Sequence, residues 1–186
     1  MFKYDLIIIL GGPASGKGTL CSKLTTNFSS IVHVSPGELL RNNNEISDEM
    51  TKNMNKGKLL PASFIGQLIM SHIRKNFYKN KTIVLDGFPR NKYNLDYFND
   101  NMKDNFNLLG VFVLACDDDI MIERVSKRIH SSARDDDTIK VFKNRLKIYH
   151  DETEEIIKFF DKILIIHSGG SAIDTYNQCI KCYKFK

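Results

Sequence analysis

The sequence has few of the features that mark secreted, membrane-spanning or disulfide-stapled proteins. Its 186 residues include four cysteines, four prolines and no tryptophan, and no apolar run approaches the roughly 20 residues that cross a bilayer. The four cysteines are too scattered to predict a disulfide framework. We therefore expect a chain without a membrane partner that works in the cytoplasm or also in the nucleus.

The composition is that of an ordinary globular domain. Hydrophobic residues make up 42% and charged residues 26% of the chain, and the length suits one substantial core. We therefore expect a single domain over residues 1–186, acting as a monomer. The net charge of +5 favours a partner that carries phosphates, which includes nucleotides and nucleic acids. Nucleic acid is the less favoured of the two, because no helix-turn-helix, aromatic RNA-binding strand or zinc motif is present.

Short apolar runs alternate with longer amphipathic stretches along the chain, which is typical of βα units. Strands are predicted at 5–10, 31–34, 82–85, 110–115 and 163–166. Helices are predicted at 16–27, 36–41, 48–55, 63–76, 91–101, 118–129, 138–160 and 171–182. The pattern predicts an α/β fold with a doubly wound, five-stranded parallel sheet, whose ligands lie beyond the carboxyl ends of the strands.

Two segments interrupt this alternation. Residues 35–63 form a small helical insertion, and residues 128–137 form a polar loop with charged ends. In an enzyme that transfers a phosphoryl group, such insertions are where we expect moving flaps, because the reaction must be shielded from water.

A glycine-rich loop follows the first predicted strand. Residues 11–19 read Gly-Gly-Pro-Ala-Ser-Gly-Lys-Gly-Thr, which fits the phosphate-loop pattern G-x-x-x-x-G-K with one residue inserted before the threonine. Such a loop points backbone N–H groups into an anion cavity at a helix N-terminus, and its lysine reaches the β- and γ-phosphates. The alternative is a glycine-rich turn with an incidental lysine. The pattern predicts nucleotide binding by Ala14, Ser15, Gly16, Lys17, Gly18 and Thr19, with the Thr19 or Ser15 hydroxyl near Mg²⁺.

Three further segments follow in order. Residues 33–41 read HVSPGELLR, residues 57–61 read GKLLP, and residues 86–91 read DGFPRN. Together with the phosphate loop, these segments make the chain resemble the adenylate kinase family of nucleoside monophosphate kinases over residues 5 to about 176. Within that family the chain resembles the members that phosphorylate UMP and CMP.

The resemblance implies Mg²⁺-dependent transfer of the ATP γ-phosphoryl group to UMP or CMP, as a step in pyrimidine nucleotide synthesis. It makes residues 35–63 the monophosphate-binding insertion of a P-loop kinase core. Asp86 would hold Mg²⁺ through water, and Asn94 would read the pyrimidine edge, since a carboxamide offers both a donor and an acceptor. The residues implied to bind the acceptor are Arg41, Lys58, Leu59, Leu60, Gly87, Phe88, Pro89, Arg90, Asn94, Arg134 and Arg145.

The resemblance also makes residues 128–137 a short lid over the phosphates. The implied catalytic set is Lys17, Asp86, Arg90, Arg128, Arg134 and Arg145. Arg124 and Arg128 would contact ATP, with Arg124 near the adenine and the backbone of Gly170 beside it. Interpreted without the family, residues 134–137 are simply an exposed loop of mixed charge.

Two departures from the family pattern bear on these expectations. Ala14 stands where the loop usually has glycine, and a positive φ there would cost about 1 kcal/mol. Pro36 stands where adenylate kinases have threonine and the pyrimidine enzymes alanine. Two alternatives stay open, namely a short adenylate kinase that phosphorylates AMP and a nucleotide-binding regulator of the same fold without turnover.

Overall fold

The computed structural model describes residues 2–42, 46–76, 78–131 and 138–185. Their strands form one parallel sheet of five strands in the order β2-β3-β1-β4-β5. The bounds are β1 Tyr4–Gly11, β2 Ile31–Val34, β3 Thr82–Asp86, β4 Phe106–Ala115 and β5 Ile163–His167. The predicted doubly wound α/β sheet is thus confirmed.

The fourth strand begins earlier than the predicted residue 110. Residues Phe106 to Leu108 pair with the start of β1, and the register then shifts between Leu6 and Ile7. The strand resumes at Gly110, so Leu109 is the extra residue of a bulge. The predicted start of the strand, residue 110, coincides with this irregularity because Gly110 interrupts an apolar run.

The helices lie close to their predicted positions. Their bounds are α1 Lys17–Asn27, α2 Pro36–Arg41, α3 Asp48–Asn55, α4 Ala62–Asn76, α5 Lys92–Tyr97, α6 Asp118–Ser131, α7 Ile139–Ile148, α8 Glu154–Ile157 and α9 Ala172–Cys182. Two predicted helices contain π-helical turns, at Phe98–Met102 and at Tyr149–Thr153. In such a turn each hydrogen bond spans five residues and not four. Hydrophobic periodicity does not reveal this feature, which is frequent at functional sites.

The central strand β1 is buried on both faces. Leu6 and Ile8 pack with α4 and α5 on one face, whereas Ile7 and Ile9 pack with α1 and α9 on the other. All four side chains have no exposed surface, and each contributes roughly 2 kcal/mol by leaving water. This double burial explains why β1 reads as an unbroken apolar run.

Strands β1 and β3 are neighbours from which the chain leaves in opposite directions. Helix α1 follows β1 onto one face of the sheet, and α5 follows β3 onto the other. The backbone N–H of Gly87 donates to the carbonyl of Ile9 at 2.9 Å and so holds the two strand ends together. A crevice therefore opens at the carboxyl ends of β1 and β3, where open α/β sheets bind their ligands.

The helical insertion at 35–63 is largely as predicted. Helices α2 and α3 begin at the caps Ser35 and Ser47, whose hydroxyls accept from the N–H groups of Glu38 and Met50. Residues 43–45 lie outside the described ranges. The insertion contacts α7 directly, because the Asn144 side chain donates to the Lys56 carbonyl at 3.0 Å.

The predicted lid at 128–137 is described only at its first four residues, which end α6. Residues 132–137, among them Arg134, lie outside the described residues. Within the described ranges, no helix combines the length and apolar character needed to cross a membrane.

Candidate active site

A cleft of about 1290 Å³ runs across the carboxyl ends of β1 and β3. It extends from the phosphate loop and the turn before α9 to the insertion that carries α2. Predicted site residues that line it are Ala14, Ser15, Gly16, Lys17, Gly18, Thr19, Arg41, Lys58, Leu59, Leu60, Asp86, Gly87, Phe88, Arg90, Asn94, Arg124, Arg128, Arg145 and Gly170. Pro89 is buried and follows a cis peptide bond after Phe88, so it shapes the loop without lining the cleft.

The phosphate loop leaves a helix N-terminus open toward the cleft. Helix α1 begins after Gly16, whose φ is 100°, and no side chain caps its first N–H groups. Those N–H groups and the helix dipole favour an anion at this point. Ser15 is fully buried, and its hydroxyl oxygen has no hydrogen-bond partner among the described residues. Both observations fit a bound phosphate.

The loop holds two backbone features that constrain its residues. Gly11 has a φ of 148°, and a Cβ there would lie 2.9 Å from both the Leu114 carbonyl oxygen and the Ser15 hydroxyl. Ala14 has a φ of 63°, so an alanine occupies the left-handed region that glycine adopts more readily. The strain expected for a positive φ at Ala14 is therefore present, at a cost of about 1–2 kcal/mol.

Lys17 and Asp86 face each other across the two strand ends. The Lys17 ammonium donates to the carbonyls of Gly11 and Gly12 at 2.8 Å each. Burial lowers the pKa of Lys17 to about 8, although the charge of Asp86 acts in the opposite direction. The Lys17 ammonium is thus held at the loop and loses its proton at a lower pH than an ordinary lysine does.

Asp86 stays ionised for several reasons. Burial raises the pKa of its carboxyl, but the hydrogen bond from His33 and the charges of Lys17 and Arg90 outweigh burial, so the pKa is lowered. The Nε2 atom of His33 lies 3.3 Å from Oδ2 of Asp86, so this histidine holds the carboxylate in place. An anionic carboxylate at the end of β3 and the Thr19 hydroxyl, which line the same cleft, carry the oxygen atoms that Mg²⁺ prefers.

Arg124 ties the phosphate loop to the turn that precedes α9. Its guanidinium donates to the carbonyls of Ser168 at 2.6 Å, Gly170 at 2.9 Å and Ser15 at 3.4 Å. Three segments that are distant in sequence are fixed relative to one another by this single side chain. The Gly170 carbonyl therefore already accepts a hydrogen bond within the protein, and this bond helps to hold the turn at the mouth of the cleft.

The far half of the cleft is built on Arg90 and Asn94. The Arg90 Nε donates to the Gly87 carbonyl at 2.7 Å, and the Asn94 side-chain oxygen accepts from the Arg90 backbone N–H at 3.2 Å. Asn94 sits in the first turn of α5, which Asn91 caps at 2.9 Å. Asn94 is only 4% exposed, so its amide is fixed in the wall of the cleft.

Comparison with known proteins agrees with this geometry. A family model described as adenylate kinase matches residues 9–165. The chain belongs to the adenylate kinase family. It is 30% identical to a UMP-CMP kinase of Bos taurus, with 97% of each chain covered, and 30% identical to that of Homo sapiens, with 96% of each covered. It is also 32% identical to a uridylate kinase of Saccharomyces cerevisiae, over 95% of this chain and 89% of that protein.

Two arginines of this adenylate kinase family member lie close to glycines. The Arg41 guanidinium nitrogens lie 3.7 Å from the position that a Cβ of Gly37 would occupy. Arg145 lies on α7 with its Cγ 3.3 Å from the corresponding position at Gly57, whose φ is 72°. At Gly57 the absence of a side chain lets the Arg145 stem pass close to the backbone, whereas the contact at Gly37 is of ordinary van der Waals length; both arginines line the cleft.

Sequence reasoning missed Thr153 in this site. Its hydroxyl donates to the Arg90 carbonyl at 2.7 Å from the π-helical turn after α7, and its side chain is 5% exposed. No local signal marks it, because its partner lies 63 residues away in the chain. Within this family member, Thr153 connects the helix that carries Arg145 to the loop that carries Arg90.

Proposed function

We propose that this adenylate kinase family member catalyses reversible, Mg²⁺-dependent transfer of the γ-phosphoryl group from ATP to UMP or CMP, giving ADP and UDP or CDP. The pyrimidine assignment rests on the hydrogen bonding of Asn94. Its oxygen is occupied by the Arg90 N–H, and its amino group has no hydrogen-bond partner among the described residues. That amino group is available to donate to O4 of uracil or N3 of cytosine. Relatives that bear the names UMP-CMP kinase and uridylate kinase favour the same assignment.

The size of the cleft supports a reaction between two bound nucleotides. Its volume of about 1290 Å³ exceeds the roughly 300–1,000 Å³ of pockets for one small ligand. The phosphate loop forms one end, and the loop of Arg90 and Asn94 forms the other, so the phosphates of two ligands would meet near Lys17 and Asp86. In this arrangement the acceptor oxygen attacks the γ-phosphorus in line.

The chemistry assigned to the side chains is electrostatic. The attacking phosphate oxygen is already anionic, so no strong general base is needed, and orientation plus charge stabilisation supply the rate. Lys17 holds the donor phosphates, and Arg41 and Arg90 hold the acceptor phosphate. Arg128, Arg134 and Arg145 stabilise the charge that spreads over the transferred group.

The residues present fit a magnesium ion. Asp86 is ionised and the Thr19 hydroxyl lines the same cleft, so Asp86 would hold the ion through water and Thr19 would offer a hard oxygen ligand of the kind that Mg²⁺ selects. When bound with ATP, Mg²⁺ would supply the positive charge that neutralises the phosphate oxygens. His33 keeps the Asp86 carboxylate oriented for this purpose.

The remaining expectations belong to the same proposal. The chain acts as one monomeric domain over residues 1–186 in the cytoplasm or also in the nucleus, and segments 35–63 and 128–137 close over the nucleotides. Closure excludes water and so limits wasteful hydrolysis of ATP. The contact between Asn144 and Lys56 supports joint movement, because it links α7, which follows the proposed lid, to the insertion.

A panel of acceptors tests the proposal. ADP formation from ATP and Mg²⁺ is measured with UMP, CMP, dCMP and AMP as acceptors, and the highest kcat/KM is expected with UMP or CMP. Arg90→Ala should abolish most turnover, whereas Arg74→Ala, at an exposed position of α4, should not. A clear preference for AMP would identify a short adenylate kinase, and tight ATP binding with no transfer to any acceptor would identify a regulator.

A further inference from the structure

Three metal-ligating side chains of different chemistry meet beneath the floor of the cleft. Cys21 lies on α1, His33 on β2 and Asp86 at the end of β3. One ligand atom from each lies within 4.8 Å of the other two, and this is the one such trio of histidine, cysteine and acidic groups among the described residues. Because all three sit on core elements, the backbone already places them together.

The spacing is close to that of a tetrahedral metal site. With bonds of about 2.3 Å to sulfur and about 2.0 Å to nitrogen or oxygen, ligand atoms in such a site lie about 3.3–3.6 Å apart. The His33 nitrogen and Asp86 oxygen are already 3.3 Å apart. The Cys21 sulfur has to approach by about 1.5 Å at most, a movement within reach of side-chain rotation.

The donor set selects the type of cation. A cysteine sulfur, which gives up its proton as the metal binds, an imidazole and a carboxylate are the ligands of zinc sites, whereas Mg²⁺ binds oxygen atoms only. His33 and Asp86 line the cleft, and Cys21 is fully buried behind them. A cation can therefore enter from the cleft, bind the three side chains and keep its fourth position toward solvent.

We propose that Cys21, His33 and Asp86 bind a thiophilic divalent cation such as Zn²⁺, and that the occupied site inhibits the enzyme. The inhibitory part rests on the proposed function, in which Asp86 serves the Mg²⁺–ATP complex. Because two dications held at one carboxylate repel each other, the binding of either ion weakens the binding of the other. The Lys17 ammonium interacts with the same carboxylate and repels a cation, so this site binds more weakly than a closed, four-ligand structural zinc site.

A spectroscopic titration tests the site without reference to activity. Co²⁺ added to the purified protein is expected to bind at one equivalent and to give a thiolate-to-cobalt charge-transfer band, which Zn²⁺ then removes. Cys21→Ala should lose the band, and Cys182→Ala, which removes an exposed thiol, should keep it. An unchanged band in Cys21→Ala, or no band at excess Co²⁺, overturns the proposal.

A second variant guards against a folding defect, because Cys21 belongs to the core. His33→Asn keeps the thiol and most of the side-chain shape, and it should also lose the cobalt band while its circular dichroism remains that of the wild type. A full-strength band in His33→Asn would remove histidine from the ligand set and overturn the site as described.

Inhibition is measured separately. Zn²⁺ should raise the apparent KM for Mg²⁺–ATP, a chelator should reverse the effect, and Cys21→Ala should keep the basal rate while needing at least tenfold more Zn²⁺ for the same inhibition. Equal sensitivity of Cys21→Ala and wild type overturns the inhibitory role. A cobalt band in a protein inactive toward every acceptor would uphold the site and reject the proposed function, so the two failures are distinguishable.

Discussion

The side-chain oxygen of Asn94 accepts a hydrogen bond from the backbone N–H of Arg90 at 3.2 Å. A backbone N–H can only donate, so this contact fixes the orientation of the carboxamide, with its oxygen toward Arg90. The residue proposed to read the base therefore also holds the loop that is proposed to bind the acceptor phosphate. Base recognition and phosphate positioning are coupled through a single side chain.

Asn94→Asp is expected to separate these two tasks. A carboxylate still accepts from the Arg90 N–H, but it replaces the donor facing the base with a second acceptor. The carboxylate loses the hydrogen bond to O4 of uracil or to N3 of cytosine, but only cytosine has a donor beside that atom, the amino group at ring position 4, from which a carboxylate oxygen can accept. The ratio of kcat/KM for CMP to that for UMP should therefore rise about tenfold or more, since a mismatched polar contact costs about 1–3 kcal/mol.

Asn101→Asp is the matched control, because it makes the same chemical change at an exposed position shortly after α5. Its CMP to UMP ratio should equal that of the wild type. If Asn94→Asp also leaves the ratio unchanged while turnover persists, Asn94 does not contact the base.

Thr153 is expected to act as a positioning residue for the acceptor. Thr153→Val removes the donor to the Arg90 carbonyl and should lower the free energy of unfolding by about 1–2 kcal/mol. Because the contact supports only the loop of Arg90, the KM for the acceptor should rise severalfold while the KM for ATP changes little. Initial-rate kinetics with each substrate varied in turn provide the measurement.

Thr153→Ser keeps the hydroxyl and should behave like the wild type in both kinetics and stability. Wild-type behaviour of Thr153→Val together with a defect in Thr153→Ser would show that methyl packing, and not the hydrogen bond, is what matters at this position.

The contrast between the phosphate loop and Thr153 shows what the sequence can reveal. The loop was predictable because strand, glycines, lysine and helix are contiguous and each has a local physical signature. The partnership of Thr153 with Arg90 depends on a π-helical turn and on tertiary packing, neither of which leaves a periodic signal. The positive φ of Ala14 lies between these cases, since the loop pattern indicated the conformation but only the backbone established it.

Ala14→Gly is expected to stabilise the protein. The left-handed conformation costs an alanine about 1–2 kcal/mol, whereas glycine adds about 0.4–1 kcal/mol of entropy to the unfolded chain, so the net gain should be about 0.8 kcal/mol from the centres of the two ranges. Thermal and urea unfolding measure the change.

Ala62→Gly serves as the comparison for this prediction, since Ala62 begins α4 in ordinary helical conformation and its replacement should only destabilise. A loss of stability in Ala14→Gly equal to that of Ala62→Gly would mean that the loop carries no strain at this residue.

Loss of the Lys17 proton should reduce kcat/KM for ATP at alkaline pH. Burial lowers its pKa to about 8, so the ammonium that is proposed to hold the donor phosphates is present below this pH and lost above it. Because kcat/KM reports the free enzyme, its value for ATP should be level below pH 8 and fall about tenfold per pH unit above it. Lys17→Arg replaces the titrating group with one that stays charged, and whatever its absolute rate, the fall above pH 8 should disappear. A fall with the same midpoint in Lys17→Arg would assign the alkaline limit to another group.

The free energy of unfolding should depend on pH in the opposite direction to kcat/KM. Between pH 8 and 10.5 the unfolded lysine binds more protons than the folded one, so the free energy of unfolding of the wild type should rise with pH relative to that of Lys17→Arg.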